Sequence, residues 1–298
     1  MTGDHHIGWL GTGRLGSAMA TRLLAHGTML TVWNRTAPKA GPLIGMGATR
    51  AAVVGDLGRC DIVFTTVTSS SDLLSVTAGP GGLFRAQPAP RIVVDCSTVS
   101  AEAAAEVRAE AAKRGIAFLS APVSGNADMV AQGRGSIIVS GAATTFETVQ
   151  PYLRAIAPNV NYCGTGEAAR LTKLCHNLLL GMVSEALAEV TTLAEKGGVA
   201  PSAFLDFIDD SVLGSTFIRH MGQAIRARNY APTSTTENLC KDFDLGFAAA
   251  RQLEVPMPVA ATTHQLIQTA IGHGHGKSDF AVLYEVAARA AALPRTKR

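Results

Sequence analysis

The chain has 298 residues, enough for two domains of ordinary size, and its 47% hydrophobic and 16% charged residues fit a compact soluble protein with much buried helix surface. A net charge of +3, with no basic run longer than the tail at 294–298, argues against nucleic acid, and the lack of an 18-residue apolar run or a basic, apolar leader argues against a membrane or export. Five cysteines, an odd number with no CxxC pair, argue against a disulfide framework or a zinc site, so a reducing cytoplasm is the expected compartment.

A first strand is expected over 5–10, and it runs directly into Gly11, Thr12, Gly13, Arg14, Leu15 and Gly16. This is GxGxxG between a strand and a helix at 15–26, the context in which that motif cradles a dinucleotide. Gly11 allows the tight turn, Gly13 leaves room for a pyrophosphate, and Gly16 lets the helix pack on the strand. The helix N-terminus adds N–H donors and partial positive charge. A second strand, 29–33, ends in Asn34, Arg35 and Thr36, and 34 − 11 = 23 residues is close to the separation at which such sites meet the ribose. An NAD site would carry an acid there, whereas this chain offers an amide, a guanidinium and a hydroxyl. Arg35 can clamp a 2′-phosphate, so NADP is the expected cofactor and NAD the lesser alternative.

Helices near 37–46 and 53–58 precede a strand at 62–67, after which Val67 and the polar segment from Thr68 to Ser71 border the adenine. The strand at 91–95 delivers Cys96, Ser97 and Thr98 to the crevice where such sheets bind ligands. Thr98 either meets the nicotinamide there or, with Ser97 or Ser100, caps the helix at 101–114. A short strand at 117–119 leads to Ser124, Gly125 and Asn126, a turn whose N–H groups and hydroxyl can hold an anion. A strand at 133–141, a helix at 144–154 and a strand at 159–162 complete a doubly wound α/β pattern over 1–163.

From 164 to 196 the chain has no Pro and is dominated by Leu, Ala, Met and Glu, which predicts one long helix from about 168 to 196. Lys173, His176 and Asn177, at i, i+3 and i+4, share a face of it, and Gly181 one turn on lets another element come close. Beyond Gly197 and Gly198, the segments 201–211, 215–227, 239–253, 260–271 and 279–290 all read as helices, with Ser278 a plausible cap for the last. Residues 164–298 are therefore expected to be all-helical. Lys241 and Asp242 stand out at the start of an otherwise apolar helix. His273 and His275 lie on a Gly-rich turn without a carboxylate cluster and read as a loop, so no metal site is expected.

Taken in order, these motifs resemble those of the β-hydroxyacid dehydrogenases, the family of 3-hydroxyisobutyrate dehydrogenase, tartronate semialdehyde reductase and 6-phosphogluconate dehydrogenase. The resemblance rests on 11–16 with Asn34, Arg35 and Thr36, on 95–98, on 121–125, on Lys173 with Asn177, and on Lys241 with Asp242. It implies an α/β Rossmann domain followed by an all-α domain, joined by a long interdomain helix and usually assembled as a dimer or larger. It also implies hydride transfer between NADP and a small carboxylate-bearing substrate, a 3-hydroxy acid or its semialdehyde. By that resemblance Lys173 is the general acid/base, Asn177 and His176 position it and the substrate, Ser124 and Gly125 bind the carboxylate, and Thr98 and Lys241 border the nicotinamide. The chemistry agrees, because hydride addition builds negative charge on oxygen and an ammonium can both stabilise and protonate it.

The sequence departs from the family in places. Asn126 stands where a second Gly is usual and Asp128 follows, adding bulk and an acid where the substrate tail would lie. The Pro common after Ser97 and Thr98 is replaced by Ser100 and Ala101, and the chain lacks the large C-terminal domain that accompanies a sugar phosphate substrate. Two alternatives stay open: an imine reductase, although those enzymes carry other residues where Lys173 stands, and a non-catalytic NADP-binding protein. Phe207, Asp210, Phe217, Asp242 and Phe243 are candidates to shape the substrate pocket, and a homodimer or homotetramer through the helical domain is expected.

Overall fold

The computed structural model describes residues 5–294, so the basic tail at 295–298 lies outside the described part. The chain divides into two compact units, Met1–Lys173 and Leu174–Arg298.

In the first unit a six-stranded parallel sheet is built from β1 (Ile7–Leu10), β2 (Leu30–Trp33), β3 (Thr49–Arg50), β4 (Ile62–Thr65), β5 (Ile92–Asp95) and β6 (Ala117–Ser120). Their order, β3-β2-β1-β4-β5-β6, is that of a dinucleotide-binding Rossmann sheet, with the topological switch between β1 and β4. Around it lie α1 (Arg14–Ala25), the short α2 (Gly41–Gly45), α3 (Ser70–Thr77), α4 (Ala101–Ala112), the short α5 (Ala127–Ala131) and α6 (Ala143–Ile156). Alternation along the strands feeds two cores. Ile7, Trp9, Ile62, Phe64 and Val94 pack with Met19 and Leu23 of α1 and Leu153 of α6, while Leu10, Val63 and Val93 pack with Leu73 of α3 and Val107 of α4. A smaller sheet follows, in which β7 (Val123–Ser124) runs antiparallel to β8 (Ser136–Val139) and β9 (Asn159–Tyr162) parallel to it.

Local chemistry moved several boundaries. The helix expected over 37–46 is a 3-10 turn, Ala37–Ala40, that re-starts as α2, with a proline near the start of each piece. The segment 54–59 is likewise a 3-10 turn. The polar residues after β4 proved to be a helix start: Ser69 accepts the Asp72 N–H at 3.1 Å and caps α3, which the sequence reading left out.

Helix α7 (Ala168–Lys196) runs unbroken for 29 residues, with the bounds expected from its Pro-free composition. It starts in the first unit and continues in the second. By length and composition alone it could cross a membrane, and half of its most apolar window is buried inside the protein. The second unit adds α8 (Pro201–Asp210), α9 (Thr216–Ala227), α10 (Thr236–Gln252), α11 (Pro258–Ala270) and α12 (Leu283–Ala290) around Leu187, Leu205, Ile225, Phe243, Ile267 and Tyr284. The closing helix is preceded by a 3-10 turn capped by Asp279 rather than Ser278, its carboxylate accepting the Ala281 N–H. His273 and His275 fall in a wide turn at the end of α11, where Gly274 has φ 89°. Gly181 meets the element that needed it: a Cβ there would come within 2.4 Å of the Phe243 ring, and one on Gly246 within 2.8 Å of Leu178. Helices α7 and α10 therefore cross in close contact.

Candidate active site

The turn after β1 is shaped by what cannot fit in it. Gly11 has φ 98°, and a Cβ on it would lie 2.0 Å from the Thr66 carbonyl oxygen, so only glycine is tolerated. At Gly13 a Cβ would meet nothing within 4 Å. That open space adjoins the start of α1, whose N-terminus has no side-chain cap and no acid in its first turn. The buried hydroxyls of Thr12 and Thr66 have no hydrogen-bond partner among the described residues. Free helix amides, unused hydroxyls and an acid-free first turn suit a pyrophosphate, so these residues fit the dinucleotide that the motif implies.

At the end of β2, Asn34 is committed to the scaffold. Its Oδ1 accepts the Thr12 N–H at 2.9 Å, and its Nδ2 donates to the Thr36 carbonyl at 2.9 Å. Arg35 is 79% exposed and pairs with Asp72 at 2.8 Å. The Ser69 hydroxyl first, and Arg35 with it, hold Asp72 below the usual carboxylate range against the opposing effect of burial. Thr36 and Thr68 are exposed, Arg14 is exposed beside half-buried Leu15, and Val67 donates its N–H to Ser97 Oγ at 2.9 Å.

The C-terminal edge of the sheet holds a cluster that the sequence reading did not assemble. Leu10, Thr65, Asp95 and Ser120 form one row across β1, β4, β5 and β6. Asp95 is fully buried, and its Oδ1 accepts the hydroxyls of Thr65 at 2.6 Å and Ser97 at 2.7 Å. Its Oδ2 pairs with Arg170 of α7, which also donates to the Ser97 carbonyl at 3.0 Å and pairs with Glu167 at 2.9 Å. Glu167 in turn pairs with Arg108. The first turn of α7 is thus locked to the sheet edge, and Lys173 follows Arg170 by three residues, a rise of about 4.5 Å along the axis. Lys173 is 9% exposed. One sequence signal pointed to this clamp: an acid ending an apolar strand must find a cation when it is buried.

Ser124 and Gly125 are half-buried, and Gly125 has φ 122°, a conformation that favours glycine. Asn126, expected to add bulk beside them, accepts the Met129 N–H at 2.9 Å and caps α5, while Asp128 is exposed. Ser100, rather than Ser97 or Thr98, caps α4 through the Ala103 N–H, which leaves Thr98 half-buried after β5 and outside the cap.

In the second unit, Asn177 Nδ2 donates to Asp242 Oδ2 at 2.7 Å across the close α7–α10 crossing. His176 Nδ1 lies 3.0 Å from Asn177 Oδ1, and Lys241 Nζ lies 3.4 Å from Asp242 Oδ1. Among the pocket candidates only Asp242 joins this group. Phe243 fills the core against Gly181, Phe217 packs on Phe280, and Phe207 and Asp210 are exposed.

A glycine cradle at the switch of a Rossmann sheet defines an NAD(P)-binding fold. A family model described as the NAD binding domain of 6-phosphogluconate dehydrogenase matches residues 6–164, and one described as NAD-binding of NADP-dependent 3-hydroxyisobutyrate dehydrogenase matches 164–287. The chain belongs to the β-hydroxyacid dehydrogenase family. It is 31% identical over 284 residues to a probable 3-hydroxyisobutyrate dehydrogenase-like protein of Arabidopsis thaliana, covering 95% of this chain and 93% of that one. It is 32% identical to the cytokine-like nuclear factor N-PAC of Xenopus tropicalis over 94% of this chain, but spans only about half (53%) of that longer relative. The crystal structure of 3-hydroxyisobutyrate dehydrogenase from Salmonella typhimurium superposes with a TM-score of 0.84 at 27% identity, covering 95% of this chain and 100% of that one. The expectation of NADP agrees with the NADP-dependent family that the second model describes.

Proposed function

We propose that this protein transfers hydride between NADP and a small 3-hydroxy acid or its semialdehyde. The observation that carries the reading is Lys173, an amine buried one helical turn beyond an arginine locked to the edge of the sheet where the glycine cradle lies. Bound NADPH supplies the hydride. Lys173 stabilises the substrate oxygen as negative charge builds there and delivers its proton; in the oxidative direction it takes the hydroxyl proton. Asn177, braced by Asp242 and bonded to His176, orients the reacting groups. Ser124 and Gly125 bind the substrate carboxylate with a hydroxyl and an N–H. The residues Gly11, Thr12, Gly13, Arg14 and Leu15 hold the pyrophosphate, Arg35 and Thr36 the 2′-phosphate, Val67 and Thr68 the adenosine side, and Thr98 the nicotinamide end.

Large apolar side chains of the second unit left in solvent, Val190, Leu193, Phe207, Val212 and Leu213, support self-association through that half as a homodimer or homotetramer. Five free thiols support a reducing compartment, for which we propose the cytoplasm.

The test is NADPH oxidation with glyoxylate, succinic semialdehyde, tartronate semialdehyde and a set of cyclic imines. Turnover of a carbonyl substrate is expected. Turnover of imines alone would reassign the protein as an imine reductase, and tight NADPH binding without any turnover would make it a binding protein.

A further inference from the structure

We propose that Cys240, Asp244 and His264 form a binding site for a divalent first-row transition ion of the zinc type. Cys240 and Asp244 stand at i and i+4 on α10 and so share a face, and His264 comes from α11. Cys240 Sγ is 3.4 Å from His264 Nε2, Asp244 Oδ1 is 3.1 Å from the same nitrogen, and all three donors lie within 4.8 Å of one another. A proton relay of thiol, imidazole and carboxylate would use both ring nitrogens, one for each neighbour. Here both neighbours face Nε2, so the three donors cluster on one side of the ring and do not form a relay through it.

The spacing fits an ion. Zinc bonds of about 2.3 Å to sulfur and about 2.0–2.2 Å to nitrogen and oxygen put tetrahedral neighbours roughly 3.3–3.6 Å apart. The two observed separations lie at or just inside that edge length. The imidazole is also held in place, with its ring stacked on Phe243 (centroids 6.0 Å apart, planes 16° apart) and tilted against Phe247 (5.4 Å). The His264 side chain is 12% exposed and that of Asp244 62%, which leaves the fourth position open to solvent on the carboxylate side. Sulfur and imidazole donors favour zinc, cobalt or nickel over magnesium or calcium. Binding forms a sulfur–metal bond as the thiol proton leaves to water, with no change of oxidation state. The absence of CxxC gave no hint of such a site, because two ligands are four residues apart on a helix and the fold brings the third from another helix.

The full-length, untagged chain is titrated with cobalt(II), then with zinc(II). One equivalent of cobalt is expected to give a thiolate-to-cobalt charge-transfer band and tetrahedral d–d bands, both removed when zinc displaces it. Cys240→Ser is expected to lose the charge-transfer band, Cys175→Ser to keep it, and His264→Gln to bind cobalt more weakly. Circular dichroism and NADPH binding establish that each variant is folded. Asp244→Asn, a change at a mostly exposed side chain, tests the site without disturbing the core and is expected to weaken cobalt binding. Failure to bind cobalt, a charge-transfer band that survives Cys240→Ser, or an affinity indifferent to Asp244→Asn would overturn the proposal.

Discussion

Among the charges that helix α7 buries, Arg170 and Glu185 differ in whether the charge is answered. In the first turn Arg170 meets a carboxylate on each side and a carbonyl, so its charge is paired. Further along, Glu185 is 5% exposed, and its Oε2 has no hydrogen-bond partner among the described residues. Burial first, and the like charge of Glu189 after it, push its pKa up to about 7. The difference teaches what buried charge is for in each region. Answered charge fixes a position at every working pH, whereas unanswered charge fixes nothing and makes stability depend on pH.

The largest expected effect lies beside the answered cluster. Lys173→Ala should lower kcat by roughly 10²–10⁴-fold, the usual worth of a positioned acid/base. NADPH affinity, read by fluorescence titration, should stay nearly unchanged. Parent-like turnover would remove Lys173 from the chemistry and leave the clamp as a purely structural device.

Next comes the clamp itself. Arg170→Met strands the Asp95 carboxylate in the core and should cost about 3–5 kcal/mol in urea unfolding. Adding Asp95→Leu to that variant should recover much of the loss, because the cost comes from an unpaired charge and not from a missing bond. If the double variant is no better than the single one, packing rather than charge holds the α7 start.

The buried acid supplies the opposite case. Its folded pKa, about 7, lies above the ordinary 4.5, so between those values the folded chain holds more protons than the unfolded one. Stability then falls as pH rises through that window and levels off above it, a loss of about 3 kcal/mol for a difference of this size. Glu185→Gln keeps the shape and removes the titration. It should be more stable than the parent at pH 8 and alike near pH 4.5, as paired thermal or urea melts would reveal. Equal stability of the two proteins at pH 8 would mean that Glu185 is answered after all.

These regions were not equally legible beforehand. The bounds of α7 could be read because a Pro-free run and a double-glycine stop are local signals, and the strand–GxGxxG–helix order is local too. The pairing of Arg170 with Asp95 joins residues 75 positions apart, which no periodicity reports. The same holds for His264 beside Cys240 and Asp244. Local patterns name candidate residues, and folding decides which of them meet. Short polar stretches were the hardest to read, because a side chain such as that of Ser69 or Asn126 suits a helix cap as well as a ligand contact.

The smallest effect sharpens the comparison on the surface. Arg35 and Asp72 repeat the chemistry of Arg170 and Asp95, but in solvent, with the guanidinium 79% exposed. An exposed pair contributes about 0–1 kcal/mol, so Asp72→Asn should barely move the urea midpoint. What it changes is the field at the guanidinium. Without a carboxylate 2.8 Å away, Arg35 has its full fork of donors for a 2′-phosphate. NADP⁺ binding should therefore tighten relative to NAD⁺, and the gain should shrink as salt is added. An unchanged ratio would mean that the pair and the cofactor do not compete, and a weaker preference for NADP⁺ would mean that Asp72 holds Arg35 in the orientation the phosphate needs.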